Sequence, residues 1–117
     1  MKSYRDLIVW QKSVKMVTLV YLEMKKLPND EKFGLTSQIK RSSVSIPSNI
    51  AEGYGRNYTK DYARFLQIAR GSLFEMQTQL QIAVNLNFLH ESDLTTIKGL
   101  SVEVEKMLNV LIKKLLN

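Results

Sequence analysis

A chain of 117 residues is long enough to bury one real core and too short for two domains. Its 44% hydrophobic and 24% charged content is ordinary for a soluble globular protein, and 17 Lys plus Arg against 11 Asp plus Glu, a net charge of +6, favours polyanions as partners. No cysteine is present, which excludes disulfides and thiolate chemistry; no run approaches the ~18 apolar residues of a membrane span, and the N-terminal MKSYRDLIVW has no apolar signal core, so a cytoplasmic protein without a membrane partner is expected.

The first helix is expected from Arg5 or Asp6 to Lys26, capped by Ser3 or Asp6. Leu7, Trp10, Val14, Val17, Tyr21 and Met24 recur at three and four and give it a packing seam. Lys25 and Lys26 suit its negative C-terminal end, and Leu27-Pro28-Asn29 break the chain.

The second helix contains the densest polar pattern, LTSQIKRSSVSIPSNIAEGYGR from Leu35 to Arg56. Leu35, Ile39, Ser42, Ser43, Ile46, Ile50 and Gly53 form one apolar or small face. Gln38, Arg41, Ser45, Asn49, Glu52 and Arg56 form a polar stripe rotated by about 100° from it. Polar groups at the border of a core lose water and need partners, because an unsatisfied one costs about 1–3 kcal/mol. Pro47 removes one backbone hydrogen bond and presses on the carbonyl of Ser43, at roughly 3 kcal/mol in a helix interior. The apolar stripe nevertheless crosses Pro47 without a change of phase. That favours a continuous, kinked helix over a break at 45–48 with Ser48 as the next N-cap. Gly53, Gly55 and Asn57 are expected to end the helix through the left-handed conformation.

Thr59 is the expected N-cap of the third helix, whose seam of Tyr62, Leu66, Ala69, Leu73, Met76, Leu80 and Ala83 carries it to Asn87 or Phe88. Ser92, Asp93 and Leu94 open the fourth, with Leu94, Ile97, Ser101, Val104, Leu108, Leu111 and Leu115 facing inward. No strand-like alternation occurs. Four amphipathic helices on short loops predict an all-α, antiparallel up-and-down four-helix bundle occupying residues 1–117 as one domain. The polar faces are thin: Ser37, Val44, Ser48 and Ala51 make a small back face on helix 2, and no acidic, lysine or arginine residue lies between Met76 and His90. The closing MLNVLIKKLL is apolar on more than one side. Helices apolar around much of their circumference are normally buried, so self-association is expected.

DLIVWQK near the start, the LTSQIKRSSVSIPSNIAEGYGR stretch and FLQIARGSLFE in helix 3 resemble the bacterial four-helix bundle proteins of the 23S rRNA intervening-sequence family. The resemblance covers most of the chain and implies an up-and-down bundle assembled as a homopentamer. Proteins similar to this family also serve as accessory factors of diversity-generating retroelements, while many members sit in neither context, so the resemblance implies no defined activity. The positions that carry the motif are Trp10, Gln38, Arg41, Ser45, Pro47, Asn49, Glu52, Gly53, Arg56, Arg70, Gly71, Ser72 and Glu75.

Catalysis finds little support. His90 is the only histidine and falls near a predicted loop, so no two-histidine metal site exists within one chain, and the Glu-x-x-His repeats of di-iron bundles are missing. No Ser-His-Asp set stands out. Gly53-Tyr54-Gly55 lacks the spacing and the following Lys-Ser or Lys-Thr of a phosphate loop. An RNA-cleaving bundle wants an arginine a few residues before its histidine, and the nearest is Arg70. Glu52 and Glu75 are read as members of a structural polar network with Gln38, Ser45, Asn49 and Arg70, the arginines Arg41, Arg56 and Arg70 being simpler partners for them than a reaction. No cofactor, metal or small-molecule substrate is expected.

The segment Gln38–Ser72 carries six basic and two acidic residues, +4 of the net +6. Arg41, Arg56, Lys60 and Arg64, with Lys40 beside them, are therefore the candidate contacts for RNA or DNA phosphates, multiplied if the chain self-associates. The alternative is a protein-interaction scaffold that docks a partner enzyme through Tyr54, Tyr58 and Phe88.

Overall fold

A computed structural model describes residues 2–117, and the secondary structure it contains is helical. The four long helices are α1 (Ile8–Met24), α2 (Leu35–Tyr54), α3 (Thr59–Asn85) and α4 (Thr95–Leu116). Each packs on its neighbours in sequence and α4 closes back on α1, which is the square section of an up-and-down bundle 43 × 25 × 23 Å across. The α2–α3 seam is the most extensive of the four. No helix among the described residues is long and apolar enough to cross a membrane.

The chain opens with a 3₁₀ turn, Tyr4–Asp6, rather than with the first turn of α1. The Ser3 hydroxyl accepts from the Arg5 N–H at 3.1 Å and Asp6 Oδ2 accepts from the Lys2 N–H at 3.0 Å. Leu7 is extended and buries its side chain, so α1 starts at Ile8. The inward face of α1 is accordingly shifted: Val9, Ser13, Met16, Val20 and Met24 point into the core with Val17, whereas Trp10 and Val14 are half-buried and Tyr21 is exposed. Apolar residues on several sides of α1 make two neighbouring seams nearly equivalent, and the extended Leu7 decides between them.

In α2 the expected face is buried at Ile39, Ser42, Ser43, Ile46, Ile50 and Gly53, with Leu35 half-buried. The helix passes through Pro47 without a break, and Pro47 itself is buried. It ends without a left-handed residue, since Gly55 sits at φ −79°, ψ −1°. Gly53 serves the helix pairing instead. A Cβ there would lie 2.7 Å from Phe65 Cβ and 3.1 Å from Tyr62 Cδ1, so its bareness lets α2 and α3 converge.

The seam of α3 is the one its periodicity predicts, with Tyr62 half-buried and the rest buried. Tyr58 rather than Thr59 is its N-cap. Its C-terminus is closed by Asn87 at φ 63°, with Asn87 N–H donating to Val84 O and Phe88 N–H to Ala83 O, both at 2.9 Å, a Schellman closure that pairs these two carbonyls of the last turn. A 3₁₀ turn, Glu91–Leu94, then precedes α4. Leu94 at the end of that turn and Ile97, Ser101, Val104 and Leu108 of α4 are buried as expected, while Leu100 and Ile112 join them in place of Leu111 and Leu115, which are half-buried.

Candidate nucleic-acid interface

Residues 55–58 join α2 to α3 at one corner of the bundle. Phe65, buried on the first turns of α3, holds two guanidinium groups against its ring: Arg56 Cζ is 4.6 Å and Arg64 Cζ 4.7 Å from the ring centroid. Each cation is attracted by the negative ring face, and this offsets part of the repulsion of bringing them to one place. Tyr58 in this connection and Lys60 in the first turn of α3 are exposed. No side chain hydrogen-bonds to the first turn of α3, and Asp61 in that turn sets a carboxylate beside its positive end. Arg56 also meets Glu52 Oε1 at 3.1 Å, an exposed i,i+4 pair that water screens. Below the corner, Tyr54 and Tyr62 pack edge to face at 6.1 Å; burial, and then the neighbouring Tyr54, raises the Tyr62 phenol above its ordinary value and keeps it protonated.

The five nominated cations do not form one patch. Arg41 lies on α2 some thirteen residues before its end at Tyr54, roughly 20 Å at 1.5 Å per residue, and Arg56 follows in the connection. Lys40 turns the other way, with its ammonium 5.1 Å from the Tyr21 ring of α1. Arg56, Lys60 and Arg64 thus belong to the corner, and Arg41 to a separate groove.

That groove runs between α2 and α3, encloses about 570 Å³, and is lined by Gln38, Arg41, Ser45, Ser72, Glu75 and Gln79 among others. Ser45 Oγ lies 2.8 Å from Ser72 Oγ, and Asn49 Nδ2 donates to both the Ser45 carbonyl at 2.8 Å and its hydroxyl at 2.9 Å. Ser42, in the buried face of α2, donates to Gln79 Oε1 at 2.8 Å. Of the expected carboxylate–arginine pairs, Glu52–Arg56 is formed. Arg70 instead donates to Asn109 Oδ1 of α4 at 2.9 Å, because it sits on the α4 side of α3. Among the described residues Gln38, Arg41 and Glu75 have no hydrogen-bonding side-chain partner and Arg41 and Glu75 form no ion pair. The helical periodicity does not predict the Ser42–Gln79 link; the signal for it is a glutamine next to the apolar seam of α3, at a depth where only a paired amide is tolerated.

The sequence profile of the 23S rRNA-intervening sequence proteins matches residues 5–110, which takes in the corner and the whole groove. The chain belongs to this family. A protein of unknown function from the S23 ribosomal protein family of Bacteroides thetaiotaomicron VPI-5482, solved by crystallography, superposes with a TM-score of 0.83 at 28% identity, over 91% of this chain and 99% of that one. No functionally curated protein matches the chain.

His90 is exposed and opens the 3₁₀ turn before α4: its carbonyl accepts from the Asp93 N–H at 3.0 Å while Asp93 Oδ2 accepts from the His90 N–H at 2.9 Å. That backbone bond, and then Lys26 at 3.0 Å, hold the Asp93 carboxyl below its ordinary range, and Glu23 followed by Asp93 raises Lys26. No group of three or more His, Cys, Asp or Glu side chains among the described residues could hold a metal ion. Of the three aromatic residues nominated for partner docking, Tyr58 is 72% exposed, while Tyr54 and Phe88 pack against the core.

Proposed function

We propose that this 23S rRNA-intervening sequence protein is a non-enzymatic, self-associating basic bundle that binds nucleic acid, RNA in the first instance, through the α2–α3 corner. The observation that carries this reading is the pair of guanidinium groups held against Phe65 beside exposed Lys60. Arginines fixed on an aromatic ring have lost part of their side-chain freedom before a phosphate arrives, so less of the interaction is spent ordering them. The family's description, which places it with 23S rRNA intervening sequences, supports RNA over other polyanions.

Self-association is supported by apolar surface that one copy leaves open. Ile8 is 57%, Val110 66% and Leu116 52% exposed, and Ile8 and Val110 flank a shallow groove floored by Leu7, Val9 and Met107. A closed ring of five, as the family resemblance implies, would cover such surface and repeat the cationic corner around an axis.

Filter retention of a structured RNA and of duplex DNA at about 50 and 200 mM salt tests the reading. RNA is expected to be retained at the lower salt, with affinity dropping about tenfold or more at the higher, and Arg56→Ala/Arg64→Ala is expected to weaken it at both. Absence of retention at low salt would sink the proposal.

A further inference from the structure

The α2–α3 groove has features that the stability of the bundle does not require. Gln79 is only 7% exposed, and its Oε1 accepts from Ser42, yet its Nε2 has no protein partner among the described residues. Among those residues no buried side-chain polar atom is both sealed from solvent and unpaired, so this amide end opens on the groove that Gln79 lines. Ser42 has one hydroxyl proton, and whichever way the amide is turned, one of its ends is left facing the groove. Arg41 and Glu75 stand at the same groove, of opposite charge and unpaired with each other. At its mouth Phe33 is 91% exposed, the most open large apolar side chain among the described residues, and contributes almost nothing to the core.

An aromatic face, a buried amide, a cation and an acceptor carboxylate around about 570 Å³ fit a ligand that is flat, carries hydrogen-bonding edges and ends in an anion. We infer that the groove takes one unstacked nucleotide with an amino-bearing base: the base stacks on Phe33, Glu75 accepts from its exocyclic amine, the free end of the Gln79 amide pairs with its edge, and Arg41 meets the phosphate. A base still paired in a duplex cannot offer its face to Phe33, so the groove selects single strands and loops where the corner selects charge alone. This deepens the nucleic-acid reading by naming the unit that is recognised, and its chemistry stands apart from that of the corner.

The test is a nitrogen-15 NMR titration of the full chain with free nucleoside monophosphates, following the side-chain amides of Gln38 and Gln79. CMP and AMP are expected to shift the Gln79 amide saturably at millimolar concentration, more strongly than UMP, which has no exocyclic amine. Phe33→Ala, at a site too exposed to affect folding, should weaken that binding about tenfold, and Glu75→Gln should narrow the preference for CMP over UMP. A single-stranded oligonucleotide shifting the same amides, with a matched duplex leaving them in place, extends the result from a free nucleotide to a strand. Unmoved amides with CMP and AMP, or equal shifts from inorganic phosphate or free amino acids, would overturn the inference, whatever long RNA does on the filter. Shifted amides with no RNA retained on the filter would leave the groove standing and remove the corner.

Discussion

Two glycines in the motif region do opposite things. At Gly53 a new methyl group would meet Phe65 Cβ at 2.7 Å, and both atoms are fixed to helix backbones, so α2 and α3 must part. Overpacking of this kind costs about 1–3 kcal/mol, more than the ~1 kcal/mol that alanine gains over glycine within a helix. Gly53→Ala should therefore lower stability by up to about 2 kcal/mol in urea unfolding. Gly71 is exposed within α3 and a Cβ there would have nothing within 4 Å, so Gly71→Ala should raise stability by roughly 0.5–1 kcal/mol. Asp93 governs a second residue-level effect, since it ties the turn before α4 to Lys26 at the end of α1. Its pKa is lower folded than unfolded, so its contribution is complete above the unfolded value of ~3.9 and is lost as pH falls through the lower folded value. Asp93→Asn should melt below the parent at pH ~7, and the gap should close in acid below pH ~4; a gap that persists there would remove the carboxylate from this role.

Helix α2 shows which elements a sequence declares and which it leaves open. Its buried face was legible because Ile39, Ile46 and Ile50 sit at a spacing that no strand or loop shares, and the phase held across Pro47, so the helix continues where local propensity alone would stop it. The seam of α3 was legible for the same reason. What was not legible was α1, where apolar residues on three sides left the rotation to Leu7, and the helix ends, where capping is settled by individual side chains: Asn87 takes the left-handed position that the glycines near α2 do not. The polar contact between α2 and α3 was half legible. Ser45 and Asn49 were marked by their stripe, but the bond from Ser45 to Ser72 depends on the close approach that Gly53 permits further along the pair. Ser45→Ala, Ser72→Ala and the double variant form a cycle that measures this link. A coupling of about 0.5–1.5 kcal/mol is expected, the range of a hydrogen bond shielded from water, and additive losses would show that the two hydroxyls merely coexist.

At the scale of the whole molecule, positive charge was countable from the sequence but its grouping was not. Arg41 lies on α2 and Arg56 just beyond its end, and only the length of that helix and the contact of Arg56 and Arg64 with Phe65 assign the two to different places. The grouping sets what the salt dependence of binding can be. One copy offers Arg56, Lys60 and Arg64 at the corner, and neutralising three phosphates of a single strand gives a slope of log affinity against log salt of roughly −2, about a 16-fold loss between 50 and 200 mM. Two corners on one strand would give roughly −4, a loss of about 250-fold over the same range. The slope therefore counts corners, and it does so without assuming any subunit number. Self-association that matters for binding predicts a slope steeper than about −2 for RNA long enough to reach a second copy, returning to about −2 for a strand of a few nucleotides. Sedimentation at the same protein concentrations supplies the independent measure of mass. A single copy in the centrifuge together with a slope near about −2 on long RNA would leave one corner acting alone and would take self-association out of the proposed function.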